Sequence, residues 1–424
     1  MKRGLIALAA LAAMLALVVG IVLWLNFLDE DTHPATTPTR DAAALIAQGA
    51  YLARAGSCAA CHTARGGELY AGGYGIVTPF GTVYSSNLTP DPETGIGTWT
   101  SDDLWRAMHN GRAKDGRFLY PAFPYPSYTK VTRADSDALF AYLQSLPAVK
   151  RPNRDHALRF PYNTQFMLAG WRALFFRPGV YETQTDQSIE WNRGAYLVRG
   201  LGHCSACHAS RNALGATEDA LNGGLMPMEG WYAPSLHSAS EASVAGWKTE
   251  TIVTLLKHGV VPRASVMGPM AEVVYGSTQH LADDDLQAMA TYLAALPVHE
   301  KSAKKVQPVD RNLYARGEEI YAKRCADCHG EQGEGVSKMY PALAGNRAIT
   351  IAPAVNTIRA VLSGGFTPET AGNPRPYGMP PFATLLNDEE IAAVVSYVRN
   401  AWGNEASGIT AWEVSSHGRG TAAR

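Results

Sequence analysis

Apolar residues fall along this chain in two patterns. The first is a single run. After Met1-Lys2-Arg3, residues Leu5 to Leu25 are almost uninterruptedly apolar, and polar Asn26 and acidic Asp29-Glu30-Asp31 come next. A run of about 20 residues is enough to cross the ~30 Å hydrocarbon core of a bilayer as a helix. Lys2 and Arg3 keep its start cytoplasmic and send the rest of the chain outward. A cleaved signal would carry a shorter apolar stretch and end in small residues. This run ends instead in Leu23-Trp24-Leu25-Asn26-Phe27. The pattern predicts one N-terminal transmembrane helix over 1–28, retained as an anchor or uncleaved signal, with a Pro/Thr-rich linker at 29–40.

The second pattern has helical spacing and comes three times. Leu139, Tyr142 and Leu143 recur as Leu286, Met289, Tyr292 and Leu293, and again as Ile391, Val394, Tyr397 and Val398. Apolar residues at i, i+3, i+4 and i+7 mark one buried helix face. Asn387 followed by Glu390 predicts an N-cap with a capping box on the last of these helices. Each closing helix is preceded, some 70 to 90 positions earlier, by another helix-like segment: "AQGAYLARAGSC", "NRGAYLVRGLGHC" and "ARGEEIYAKRC".

Those opening segments run into the chemistry of the chain. Cys58-Ala59-Ala60-Cys61-His62, Cys204-Ser205-Ala206-Cys207-His208 and Cys325-Ala326-Asp327-Cys328-His329 are three copies of C-x-x-C-H, the attachment site of a c-type haem. Two cysteines three positions apart form thioethers to the two vinyl groups, and the adjacent histidine falls beneath the iron as proximal ligand. The motifs use all six cysteines, leaving none for a disulfide or a nucleophile. Three covalent haems c are predicted. Attachment of such haems outside the cytoplasm agrees with the anchor and puts the haem domains on the periplasmic side of the inner membrane.

Composition changes this picture little. The 424 residues suit about three domains. A net charge of −1 implies neither nucleic acid nor a strongly charged substrate. The 40 Gly and 25 Pro predict much loop around the haems. The predicted fold is all-α: three tandem cytochrome c-type domains with loop-rich haem pockets, at 41–150, 188–300 and 311–403. A connector at 151–187 and a short linker at 301–310 separate them, and 404–424 is expected to be a loose tail. Within the connector, "YNTQFMLAGWRALFF" carries a stripe of Met167, Trp171, Leu174 and Phe175, with Arg159, Arg172 and Arg177 among or beside it. It is too short and too charged to span a bilayer. It reads as a helix bridging two domains or as a surface helix on the membrane or a partner.

An electron-relay haem commonly keeps a methionine as second axial ligand. Met379 in "PYGMPPF" is the candidate for the third haem. Met267 and Met270 compete for the second, and Met270, which follows Gly-Pro, is preferred; Met226 and Met228 come too early. In the first domain the equivalent loop, "GRFLYPAFPYPSY", holds Phe123. Phenylalanine cannot bind iron, so that iron is five-coordinate or uses another side chain. Met108 and His109 lie upstream, and His109 is the candidate, against a reading in which it is a surface or propionate-contacting histidine. The second ring nitrogen of each proximal histidine needs an acceptor, and the carbonyls of Pro79, Pro234 and Pro341 lie in plausible loops.

The ordered set "YLARAGSCAACHT", "SSNLTPDPETGIGTW", "DGRFLYPAFPY", "CSACHASRNALG", "GPMAEVV", "CADCHGEQGEG", "YPALAGN" and "GMPPF" resembles the three-haem cytochrome c subunits of bacterial membrane-associated dehydrogenases. The resemblance covers about residues 41–403. It implies an electron-transfer subunit that accepts electrons from a dehydrogenase catalytic subunit of molybdenum, flavin or quinoprotein type and passes them to ubiquinone or a terminal oxidase. Alcohol, aldehyde, sugar-acid or N-heterocycle oxidation upstream all fit. It assigns axial roles to His62, His208, His329, Met270 and Met379. Phe123 is the departure; it resembles a branch whose electron donor is a molybdenum-containing aldehyde or N-heterocycle oxidoreductase. No glycine fingerprint for a dinucleotide and no clustered carboxylates point to catalysis by this chain alone. The rival functions are a haem peroxidase or reductase using an open first haem, and a tethered electron donor to a terminal oxidase.

Overall fold

The computed structural model describes residues 2–27, 41–218, 220–226, 228–262, 264–298, 306–337 and 339–418. The expected linker at 29–40 and half of that at 301–310 lie outside the described residues. Two compact units emerge. One is Met1–Thr183 with Arg199–His203 and Ala213–Ala216; the other is Gln184–Val198 with Cys204–Asn212 and Thr217–Arg424.

Each opening segment folds as a helix crossed by a closing helix: Ala42–Ala55 by Arg133–Gln144, Ile189–Arg199 by Asp283–Ala294, and Arg311–Arg324 by Asp388–Val398. A glycine makes each crossing possible. A Cβ on Gly49 would overlap the Ala138 carbonyl oxygen and come within 2.7 Å of Tyr142 Cβ. At Gly194 the obstacles are the Ala288 carbonyl and Tyr292 Cβ, and at Gly317 the Ala393 carbonyl and Tyr397 Cβ. The backbones therefore touch at an Ala four residues before a Tyr in every case. Leu139, Leu286, Met289, Leu293, Ile391, Val394 and Val398 are buried, as their spacing requires. The capping box of Asn387 and Glu390 is formed, with Glu390 N–H donating to Asn387 at 2.9 Å.

Helices dominate, and the strands are confined to hairpins in the loops. Gly75–Thr78 pairs with Gly81–Tyr84, to which Ala157–Leu158 of the connector adds. Gly224–Met226 pairs with Trp231–Ala233, Val260–Val261 with Ala264–Ser265, and Gly365–Phe366 with Gly378–Met379. In the first unit, Leu52, Leu104, Met108, Tyr128, Leu139 and Leu143 form one buried cluster, and Cys58 and Phe123 pack against it.

In the second unit the middle and last repeats are tied together. Tyr232 N–H donates to Asn356 Oδ1 at 2.9 Å, and Asn356 Nδ2 returns a bond to the Tyr232 carbonyl at 2.7 Å. Arg347 donates to the Ala239 and Ser243 carbonyls, both at 3.0 Å, and the Arg359 guanidinium lies over the Trp231 ring.

The stretch expected to be a loose tail is not loose through residue 418. Ile409 and Val414 are buried with Ile358, Leu362, Ile391 and Val395, and Ala411–Gly418 is a helix packed on Asp388–Val398. Asn404 Nδ2 ties its start to the Leu343 and Val398 carbonyls. Two apolar anchors in a polar stretch leave no visible stripe, which is why the pattern missed it.

Candidate functional site

Each C-x-x-C-H motif is a single helical turn: Cys58–His62, Ser205–His208 and Ala326–His329. The chain leaving each turn follows one plan. Gly72, Gly223 and Gly335 donate their N–H to the carbonyls of His62, His208 and His329, at 2.7, 2.7 and 2.8 Å. Leu88, Leu236 and Leu343 donate to the carbonyls of Tyr70, Leu221 and Gly333. Two residues before each of those leucines is the carbonyl that holds the histidine. His62 Nδ1 bonds Ser86 O at 2.8 Å, His208 Nδ1 bonds Pro234 O at 2.6 Å, and His329 Nδ1 bonds Pro341 O at 3.1 Å.

Pro234 and Pro341 thus act as expected, and Pro79 does not. It sits in the turn of the first hairpin, where its carbonyl accepts from Arg159. Ser86 takes the role because only the carbonyl matters. The signal was present in the sequence as "SNL", "PSL" and "PAL", aligned on leucine rather than on proline.

A neutral imidazole that donates from Nδ1 leaves Nε2 as the free lone pair. Burial holds His62, His208 and His329 below the usual histidine range, with the carbonyl bond opposing it. The neutral form is the one that ligates metal. None of the six cysteines forms a disulfide. Burial, aided by the neighbouring thiol, pushes Cys58 up to about 12 and Cys325 up to about 11, and burial also raises Cys207. Thiols so raised make poor thiolate nucleophiles, which disfavours a redox dithiol. Among the described residues no three His, Cys, Asp or Glu side chains converge to hold a bare metal ion. One histidine and two thiols per site suit haem c: the thiols would bond the vinyl groups of a porphyrin and the histidine would ligate its iron.

A second backbone device recurs further along each repeat. The helices Ser101–Asn110, Thr249–His258 and Val355–Ser363 each end on a glycine with positive φ: Gly111, Gly259 and Gly364. The residue after each glycine starts an antiparallel pairing, Arg112 with Phe118, Val260 with Ser265 and Gly365 with Met379. In the first two repeats the next residue, Leu119 or Val266, donates to the glycine carbonyl at 2.8 or 2.9 Å. Four residues further on stand Phe123 and Met270. The backbone thus equates Met270, not Met267, with Phe123. Met379 lies in the paired strand itself, so the third repeat presents its methionine from a different point of the hairpin.

Phe123 packs against the cluster that contains Met108 and receives Cys58, its ring 5.3 Å from that of Tyr128. His109 occupies the neighbouring row of its helix. It is buried, stacked on Trp105 at 4.4 Å, with Nδ1 bonded to the Thr129 carbonyl at 2.9 Å.

A model of the cytochrome c family matches residues 46–147 and 314–402. Over 404 residues the chain is 39% identical to the cytochrome c subunit of a quinone-type alcohol dehydrogenase of Gluconacetobacter polyoxogenes, covering 91% of this chain and 86% of that protein. It is 36% identical to the gluconate 2-dehydrogenase cytochrome c subunit of Pantoea cypripedii, over 95% of this chain and 94% of that one. A nicotinate dehydrogenase subunit of Pseudomonas putida is 39% identical over 88% of this chain, which spans 31% of that longer protein.

Proposed function

The chain belongs to the cytochrome c subunits of bacterial dehydrogenases, and from that premise we propose that it carries three covalent haems c in three tandem domains. It accepts electrons from a dehydrogenase catalytic subunit and passes them to ubiquinone or a terminal oxidase. The Lys2–Phe27 helix, long and apolar enough to cross a bilayer, anchors it in the inner membrane with the haems on the periplasmic side.

The observation that carries this reading is the threefold framework: a glycine-enabled helix crossing, a C-x-x-C-H turn, and a backbone carbonyl on each histidine Nδ1. When bound, each haem supplies a one-electron couple. The chain's own residues do the rest. Cys58, Cys61, Cys204, Cys207, Cys325 and Cys328 fix the three rings. Nε2 of His62, His208 and His329 is kept unprotonated and aimed by Ser86, Pro234 and Pro341. Met270 and Met379 supply thioether sulfur, which raises a haem's potential. The Tyr232–Asn356 and Arg347 bonds hold the second and third repeats together, so electron transfer between them needs no domain movement.

The substrate belongs to the partner. Identity is 39% both to the alcohol dehydrogenase cytochrome and to the nicotinate dehydrogenase chain, so the haem-bearing part serves partners of unlike chemistry. Pyridine haemochrome assay of matured protein should give three haems per chain, and a dehydrogenase subunit should co-purify. Fewer haems, or co-purification of oxidase subunits alone, would overturn the proposal. Phe123 favours one second reading, a peroxidase or reductase at the first haem. Turnover of peroxide by high-spin ferric iron in the isolated subunit would support it. Should the first iron prove six-coordinate, His109 is the side chain to test as its ligand.

A further inference from the structure

The anchor helix Lys2–Phe27 has one buried residue, Asn26. Its amide Nδ2 donates to Val22 O at 2.8 Å and to Ala169 O at 2.9 Å, and its Oδ1 accepts from Arg172 Nε at 2.8 Å. The Arg112 guanidinium covers the next residue, with its carbon 4.3 Å from the Phe27 ring centre. Arg112 and Arg172 both lie over Phe118, at 4.8 and 4.6 Å. The end of the anchor is thus knotted by polar bonds to the middle of the connector helix, Gln165–Phe175.

The level of that knot follows from helix geometry. Leu5 to Leu25 rise roughly 30 Å at about 1.5 Å per residue, the thickness of the hydrocarbon core. On the reading that this helix crosses the membrane, Asn26 stands at the outer boundary, and Ala169 and Arg172 stand there with it. The connector helix buries Leu168, Arg172 and Ala173 inward. On another row it presents Phe166, 77% exposed, Gly170, with open space around its Cβ position, and Leu174, 69% exposed. Residues spaced by four share one face. Phe160, just ahead of the helix, is 82% exposed, and Trp24 on the last turns of the anchor is 63% exposed. Aromatic and aliphatic side chains at this depth have a ready solvent in the headgroup–acyl boundary.

We propose that helix Gln165–Phe175 lies in the outer interface of the bilayer, with Phe166, Gly170 and Leu174 against lipid, so that the first haem domain is seated on the membrane rather than swinging from a tether. The bilayer is the occupant because a bonded contact to the anchor's exit point fixes the helix at its surface. The inference rests on the anchor reading given above.

The test uses full-length, haem-loaded protein in phosphatidylethanolamine–phosphatidylglycerol vesicles. A genetically encoded keto residue at position 170 takes a nitroxide without touching the haem cysteines, and its collisions with oxygen and with a water-soluble nickel chelate are compared by EPR. Labels at position 11, mid-anchor, and at exposed Glu389 set the two limits. The expected result is several-fold lower nickel accessibility at 170 than at 389, with oxygen accessibility between those at 11 and 389. Phe166→Ser with Leu174→Ser should return the label at 170 toward water while the chain still sediments with vesicles and keeps its haem spectrum. A label at 170 as water-exposed as that at 389, with 11 shielded, would overturn the proposal and leave the face to a protein partner. Water exposure at both 11 and 170 would show that the anchor reading itself has failed.

Discussion

In the first repeat, the four residues after the amide that bonds the Gly111 carbonyl end in Phe123; in the second, the four after the amide that bonds the Gly259 carbonyl end in Met270. The backbone device is the same, and one side chain separates the methionine proposed to bind iron from an inert ring. The first loop is nonetheless firmly held. Tyr125 is fully buried, and Tyr128 donates its hydroxyl to the Gly56 carbonyl at 3.0 Å, beside the first haem motif. A phenylalanine at this position leaves the fold around it firmly held. The scaffold and the iron's coordination are therefore separable, and each can be attacked without the other.

The largest effect is expected from striking the shared scaffold. Gly49→Val and Gly194→Val each drive a side chain into a backbone carbonyl and a tyrosine Cβ on the closing helix. Overpacking of this kind costs about 1–3 kcal/mol when side chains can yield, and backbone obstacles put these two at or above the upper end. Each variant should lose thermal stability by a similar amount and mature with one haem fewer by haemochrome assay. If Gly49→Val were tolerated while Gly194→Val was not, the two repeats would not share a crossing, and the comparison would lose its ground.

Next comes the side chain itself. Phe123→Met should bring a thioether sulfur to the first iron, with a new methionine–iron charge-transfer band and a raised potential. Met270→Phe should do the reverse at the second iron: the band declines, a high-spin EPR signal appears and carbon monoxide gains access. Phenylalanine and methionine are close in volume, so stability should change by less than about 1.5 kcal/mol in either variant. An unchanged spectrum in Phe123→Met would mean that another side chain already holds the first iron. His109→Ala in that background would then test it: a changed spectrum would name His109 as the ligand, and an unchanged one would leave its ring to the Thr129 bond and the Trp105 stack.

How much of this was legible beforehand depends on what each feature asks of side chains. The helix pairs were legible because their buried stripes have a period, and the C-x-x-C-H turns because their chemistry is local in sequence. Phe123 was legible as a departure because the loop around it, Pro121 to Tyr125, is otherwise intact. What escaped works through the backbone or through distant partners. The Gly49, Gly194 and Gly317 crossings depend on a carbonyl roughly 75 to 95 positions away. The Asn26 knot joins a polar residue at a helix end to residues 143 and 146 positions later. The Tyr232–Asn356 pair spans 124 positions. No short pattern announces such contacts.

The smallest effect tests the same point at one atom. His62, His208 and His329 are steadied by the carbonyls of Ser86, Pro234 and Pro341, so residue type should be nearly irrelevant. Ser86→Pro would give the first repeat the residue found in the other two. Its carbonyl stays, the residue loses freedom in the unfolded chain, and stability should shift by less than about 1 kcal/mol where the backbone angle suits proline. The potential and spectrum of the first haem should not change. Spectroelectrochemical titration beside a melting curve reads both. A shifted potential at unchanged stability would mean that the serine side chain, and not its carbonyl alone, tunes the first histidine, and the first repeat would then differ from the second at both faces of its iron.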